Sequence, residues 1–371
     1  MQSDSFNYMQ RALELARQGL GRTAPNPPVG AVIVKDARVV GEGYHPGAGQ
    51  PHAEIFALRQ AGTAARGADI YVTLEPCSHF GRTPPCVEAL IEAGIARVIV
   101  GAIDPDPRVR GKGVAALRRA GIAVEVGVCG NQCERLIAGF SKNLCNGLPF
   151  TIYKAAMTLD GHTATGTGDS RWISGEASRE RVHQVRNQVD AIMVGIGTVL
   201  MDNPRLNVRL PRQDTRDPLR VVVDTHLRMP LASAMLHQDS AATTLIATGC
   251  TDLQRIEQLR GVGADVIVLP LENGRVSLGA LWRELGRRHI QQLLLEGGNV
   301  LAGAALKEGL IDQLMIFVAP RLVGGGTAAA GLFAGQGCST MADARRLAEV
   351  NYEQIAEDML ITARISPCSP D

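Results

Sequence analysis

The order of apolar and polar positions divides the chain into short strand-like and helix-like stretches. Residues 1–20, MQSDSFNYMQRALELARQGL, space their apolar side chains as one face of an amphipathic helix. VGAVIV (29–34) and RVVGEGY (38–44) predict strands around a turn at Lys35–Ala37, and DIYVTL (69–74), ARVIVGAI (96–103) and IAVEVGV (122–128) predict three more. Between them HAEIFALRQAG (52–62), CVEALIEAG (86–94) and GKGVAALRRAG (111–121) predict helices, and a last helix near 131–145 runs into NGLPF (146–150). Gly and Pro there mark a boundary. A second α/β series follows, with strands expected near 151–157, 190–195, 219–224, 243–248, 264–269, 290–295 and 312–319. Two closing strands near 350–357 and 359–365, separated by a tight turn, read as an antiparallel pair. The pattern has no internal repeat and predicts two different domains, 1–147 and 148–371.

Composition agrees with that division, since 371 residues are many for one core. Lys plus Arg number 38 against 37 acidic residues, a net charge of +1. Such a balance supplies no basic field for tracking nucleic-acid phosphates. Eight cysteines in so long a chain, irregularly spaced, do not make a disulfide framework. No apolar h-region opens the chain and no uncharged run reaches membrane-spanning length, so a cytoplasmic protein with reduced thiols is expected.

The chemistry concentrates in PHAEI (51–55) and TLEPCSHFGRTPPC (73–86). Catalytic zinc takes three protein ligands from His and Cys and keeps a fourth position for water, whose pKa falls to about 7. His52, Cys77 and Cys86 supply three such ligands. His52 and Cys86 each open a predicted helix, so two helix N-termini can face one place and favour thiolate. Glu54, two residues beyond His52, can exchange protons with the water without binding the metal. His79 as a fourth ligand would close the site into a structural one. H-x-E followed by P-C and a second cysteine is the arrangement of the zinc nucleobase deaminases, although eight residues separate the cysteines here where two are general.

EPCSHFGRTPPC, with TAPNPPVGAVIV before it and GAIDPDPRVRGKG after it, resembles the bifunctional deaminase–reductases of riboflavin biosynthesis. The resemblance continues through KAAMTLDG (154–161), SRWIS (170–174), AIMVGIGTVLMDNPRLNVR (191–209) and LLLEGG (293–298), nearly the whole chain. It implies a cytidine-deaminase-like α/β/α first domain that binds one zinc ion and deaminates a diaminopyrimidinone ribosylamino 5′-phosphate, with Glu54 as proton carrier. Asn26, His45, Arg82 and Asp104 fall where the family contacts base and ribose phosphate. Read without the family, Asn26 between prolines is equally a turn residue and Arg82 equally a solvated one. Position 82 is often Lys in the family, and position 106 often Asn where this chain has Asp106. An ionised Asp only accepts hydrogen bonds, which puts a donor role there in question.

For the second half the resemblance implies a dihydrofolate-reductase-like α/β domain that reduces the ribosyl portion to ribityl with NADPH. Ala156, Trp172, Thr198, Asp202 and the stretch Gly298, Asn299, Val300, Leu301, Ala302, Gly303 and Ala304 match cofactor contacts. Ser170, Arg186, Leu206, Arg209 and Glu296 match substrate contacts, and Asp202 is the expected proton donor. A strand QLLLEGG followed by a helix NVLAGAALKEG independently suits phosphate at a helix start, but it is not the GxGxxG fingerprint, so a Rossmann domain is not supported. Arginine forks at 186 and 209 suit a phosphate monoester. Trp172 also admits reading as a core aromatic, and Cys129 and Cys133 read as packing. The expected partners are phosphorylated pyrimidines, with homo-oligomerisation possible. Two other readings compete: a nucleic-acid editing deaminase, which needs a basic strand-accepting surface, and a non-catalytic zinc-stabilised binding module in which Glu54 is dispensable.

Overall fold

The structure is a computed structural model that describes residues 2–78, 85–211, 214–324, 331–335 and 337–365. The chain divides into two compact units, Met1–Leu148 and Pro149–Asp371.

Unit 1 runs α1 (Gln2–Arg17), β1 (Gly30–Lys35), β2 (Arg38–Tyr44), α2 (Ala53–Ala61), β3 (Asp69–Leu74), α3 (Cys86–Glu92), β4 (Arg97–Ala102), α4 (Lys112–Arg119), β5 (Ala123–Val126), α5 (Gly130–Leu136) and α6 (Ala138–Asn146). Its sheet has the order β2-β1-β3-β4-β5, with β1 antiparallel to both neighbours and β3, β4 and β5 parallel. Successive strand side chains point to opposite faces, so the apolar runs feed two cores. Ala31, Ile33, Ile70, Val72, Val98 and Val100 pack under α2, α3 and α4. Val32, Val34, Tyr71 and Ile99 pack against Met9, Leu13 and Leu136 of α1 and α5 on the other face. Three layers result. Gly43 admits α2 closely, since a Cβ there would stand 2.4 Å from the Ala53 carbonyl. That contact fixes the start of α2 beside the sheet.

The single helix expected near 131–145 is two helices, because Ile137 leaves helical geometry (φ −95°, ψ 11°) between α5 and α6.

Unit 2 runs β6 (Phe150–Thr158), α7 (Glu176–Arg186), β7 (Ala191–Gly195), α8 (Ile196–Asp202), β8 (Leu219–Val223), β9 (Thr244–Thr248), α9 (Leu253–Gly261) and β10 (Ala264–Val268). It continues with β11 (Leu271–Glu272), β12 (Arg275–Val276), α10 (Leu278–Arg287), β13 (Gln292–Glu296), α11 (Asn299–Lys307), β14 (Gln313–Ala319), β15 (Leu347–Ile355) and β16 (Asp358–Ile365). The large sheet has the order β10-β9-β8-β7-β13-β6-β14-β16-β15. It is parallel from β10 to β14, and β16 and β15 close it antiparallel. Helix α10 shows why these segments coil: Leu278, Leu281, Trp282 and Leu285 fall on one face and are all buried. Ser277 caps it by accepting the Ala280 N–H at 3.2 Å. Among the described residues no helix is long and apolar enough to cross a membrane.

Candidate active sites

In unit 1, β3 ends at Leu74 and the chain reaches Cys77 just beyond the sheet. His52 caps the start of α2, and Cys86 is the first residue of α3. The three converge: their ligand atoms lie within 4.8 Å of one another. His52 Nδ1 stands 3.3 Å from Cys86 Sγ and 3.6 Å from Cys77 Sγ, and the backbone N–H of Cys86 donates to Cys77 Sγ at 3.3 Å. The Cys86 side chain and N–H, with the His52 ring, hold the Cys77 thiol well below the usual thiol range, while its neighbour Cys77 and burial push Cys86 up. Contact with Cys77 raises His52.

Glu54, the second residue of α2, is 3% exposed, and its Oε2 has no hydrogen-bond partner. An unpaired buried carboxylate oxygen is costly unless the site supplies a partner in its working state. One imidazole nitrogen and two sulfurs form the donor set zinc prefers, so the residues fit that ion. Burial pushes the Glu54 carboxyl up, opposed by the His52 charge.

Asn26 and His45 form the neighbouring wall. His45 Nδ1 lies 3.1 Å from the Pro51 carbonyl, which can only accept, so Nδ1 carries the proton. Its Nε2 then accepts from Asn26 Nδ2 at 3.0 Å, leaving the Asn26 oxygen as an acceptor. Burial lowers the pKa of His45, whose ring stands edge-on to His52 at 5.3 Å. Asp104 follows β4 and accepts the Asp106 N–H through Oδ1 at 2.8 Å. Asp106 accepts the Arg108 guanidinium at 2.6–3.0 Å and its N–H at 2.9 Å, so it works as an acceptor, tied within its own loop. His79 and Arg82 lie outside the described residues.

Sequence reasoning missed Glu75. It is buried and accepts N–H groups from Asp104 (3.3 Å), Gly111 (2.8 Å) and Val114 (3.1 Å), binding the 104–111 loop to the strand end that leads to Cys77. A carboxylate two residues before a predicted ligand was the available signal.

In unit 2 a cavity of about 540 Å³ opens at the C-terminal ends of β6, β7 and β13. Open parallel sheets bind ligands at such an edge. Its wall includes Ala156, Ser170, Trp172, Thr198, Asp202, Arg186, Leu206, Arg209, Glu296, Gly298 and Asn299. Val300, Leu301, Ala302, Gly303 and Ala304 continue along α11 and are not among the lining residues. Gly303 answers a packing need, because a Cβ there would stand 1.9 Å from the Ala334 carbonyl. Gly297 and Gly298 both have left-handed φ (70° and 68°), a turn that suits glycine.

Arg186 is committed. Its Nε and Nη2 donate to Glu296 Oε1 and Oε2 at 2.8 and 2.7 Å, and Nη1 donates to the Asn207 carbonyl at 3.1 Å. Burial would raise Glu296, but the Arg186 guanidinium holds it below the usual carboxylate range. Arg209 is more open and donates one hydrogen bond to Asn207 Oδ1 at 2.7 Å. Asp202 accepts from Arg171 at both its carbonyl (2.7 Å) and Oδ1 (3.3 Å). Trp172 is 60% exposed with the Arg179 guanidinium 4.8 Å above its ring, which removes the core-aromatic reading. Lys154, not singled out in the sequence, pairs with Glu296 across β6 and β13 and lines the same cavity; burial lowers its pKa.

The two sites and folds define a two-unit enzyme, a zinc-binding deaminase joined to a nicotinamide-dependent reductase acting on small pyrimidines. Residues 2–102 match the cytidine and deoxycytidylate deaminase zinc-binding region, and residues 149–361 match the RibD C-terminal domain. The chain is 46% identical to the riboflavin biosynthesis protein RibD of Actinobacillus pleuropneumoniae, over 96% of this chain and 94% of that one. It is 40% identical to RibD of Escherichia coli, over 95% and 97%. Among solved structures, Acinetobacter baumannii RibD superposes with a TM-score of 0.85 at 39% identity, covering 99% of this chain and 100% of that one. A Thermotoga maritima diaminohydroxyphosphoribosylaminopyrimidine deaminase/5-amino-6-(5-phosphoribosylamino)uracil reductase gives 0.86 at 35% identity, covering 98% and 99%. The chain belongs to the RibD family, the bifunctional deaminase–reductases of riboflavin biosynthesis.

Proposed function

We propose that unit 1 hydrolyses the 2-amino group from 2,5-diamino-6-ribosylamino-4(3H)-pyrimidinone 5′-phosphate, and that unit 2 then reduces the ribosyl portion to ribityl with NADPH. The observation that carries the first step is the unpartnered Glu54 Oε2 beside the His52–Cys77–Cys86 cluster. Those three side chains would hold one zinc ion per chain, which when bound supplies Lewis acidity and a nucleophile from water at neutral pH. Glu54 accepts a proton from the attacking water at Oε2 and gives it to a ring nitrogen, then carries the proton of the new C–OH group to the amino group as the C–N bond breaks and ammonia leaves. The Asn26 oxygen, left as an acceptor by its bond to His45, suits an exocyclic amino group. Asp104, on the loop that Glu75 organises, faces the ribose phosphate portion.

In unit 2 the Gly297–Gly298 turn and the first residues of α11 take the NADPH phosphates, with Thr198 beside them. Trp172 and Ala156 contact the same cofactor. Arg209 offers its guanidinium to the substrate's 5′-phosphate, and Arg186 both lends a remaining N–H and holds Glu296 toward the substrate with Ser170 and Leu206 nearby. NADPH, when bound, would supply the hydride that reduces C1 of the ring-opened imine, and a side chain of this cavity would give the nitrogen its proton. Lys154 suits that transfer better than Asp202, because an ammonium has a proton to give while the Asp202 carboxylate is engaged by Arg171.

The direct test incubates the purified chain with the diaminopyrimidinone phosphate and follows ammonia with and without NADPH. Ammonia in both cases, and NADPH oxidation only after its release, is expected. NADPH oxidation with no ammonia would overturn the order of steps, and neither product would overturn the substrate.

A further inference from the structure

Between α8 and β8 the chain from 203 to 211 has no helix or strand to set its shape, yet it carries Leu206 and Arg209 into the reductase cavity. Within this stretch Leu206 takes a left-handed φ of 51°. Three fastenings follow at once: the Asn207 carbonyl accepts from Arg186, the Val208 N–H donates to Asp217 Oδ1 at 2.7 Å, and the Arg209 N–H donates to His183 Nδ1 at 3.2 Å. The third fixes the backbone of the residue read as the phosphate ligand, and a two-pronged guanidinium contact gains from a defined starting geometry.

We infer that His183 is a positioning residue for the reduction, holding Arg209 at the cavity through this backbone hydrogen bond. The inference rests on the reading that Arg209 binds the substrate's phosphate. His183 lies one turn before Arg186 on α7 and is 8% exposed, so one helix face carries both the ring that fastens Arg209 and the fork that fastens Glu296. A backbone N–H can only donate, so Nδ1 is the acceptor and the ring proton sits on Nε2. His183 itself lines the cavity, but the role assigned to it is exerted through Arg209.

The test uses the full chain and three variants, with KM and kcat measured for the phosphorylated, deaminated substrate and KM for NADPH. His183→Leu removes the acceptor, whereas His183→Asn places an amide oxygen close to where Nδ1 stands. The Leu variant should raise the substrate KM about tenfold, as loss of one positioned contact does, with kcat and the NADPH KM little changed. The Asn variant should recover most of that loss. In an Arg209→Ala background the Leu change should add almost nothing, because the residue it positions is gone. A wild-type substrate KM in the Leu variant, an Asn variant as impaired as Leu, or full additivity with Arg209→Ala overturns the proposal. Should the Leu variant not fold, His183→Gln, whose amide lies a bond further out, replaces it in the comparison with Asn. Arg209→Ala measured alone separates the two layers. An unchanged KM there sinks the phosphate reading and this proposal with it. A raised KM there beside a normal His183→Leu sinks only the role of His183.

Discussion

Arg186 and Glu296 face each other as a two-pronged ion pair, with Nε and Nη2 of the arginine 2.8 and 2.7 Å from the two carboxylate oxygens. Their side chains are 13% and 11% exposed. A pair this deep is costly to break, because removing one partner leaves a buried charge uncompensated.

Arginines 186 and 209 should therefore differ when replaced. Arg186→Ala should destabilise unit 2 by about 3–5 kcal/mol as well as impair substrate binding. Arg209→Ala should raise the substrate KM about tenfold and shift stability by no more than about 0.5 kcal/mol, as exposed substitutions do. Denaturant unfolding and steady-state kinetics on both variants check this. Equal stability loss in the two would contradict the assignment of Arg186 to Glu296.

The imidazole of His183 gives a pH signature. Burial, then the charges of Arg186 and Arg209, push it down to about 4. The folded chain keeps this ring neutral to about that pH, whereas an unfolded histidine takes up its proton near 6.5. Between these values the unfolded state binds more protons, so the native state loses stability as pH falls from about 6.5 to about 4, with no further loss from this group below. Melting temperatures of His183→Asn and the wild type, measured from pH 7 to pH 4, should therefore converge or cross as pH drops. Parallel curves would show that the ring is not held neutral.

Much of this was legible in the sequence, and the limits have physical causes. Buried parallel strands such as 69–74 and 97–102 announce themselves because both faces need apolar side chains. Strand β15 was expected as well, but its start is poorly marked because it is the edge of its sheet and almost wholly exposed, and it begins three residues before the expected 350. The break at Ile137 carries no proline or obligatory left-handed residue, so one helix was the natural expectation. The metal cluster was readable because its residue types are rare together. The Arg186–Glu296 fork joins residues 110 apart in sequence, and no local spacing encodes it. Nor does spacing tell that of the seven residues 298–304 Gly298 and Asn299 reach the cavity wall while the next five continue along α11 away from it.

Cys77→Ser and Cys86→Ser should each lower zinc content, because hydroxyl oxygen is a poorer ligand than thiolate. Metal analysis of the purified variants tests this. One zinc per chain retained in both would mean that other residues hold the ion.

Cut between Leu148 and Pro149, where the compact units divide, the two fragments should each fold. Residues 1–148 should bind zinc and residues 149–371 should bind NADPH. Two insoluble fragments would make the units interdependent.

Glu54→Gln is the most direct measurement of the central claim, because it removes the proton carrier and no metal ligand. The variant should keep zinc at the wild-type level and release ammonia at least about 10²-fold more slowly. Supplied with deaminated substrate, it should oxidise NADPH at the normal rate. A zinc-loaded Glu54→Gln chain that deaminates as fast as the wild type would contradict the account.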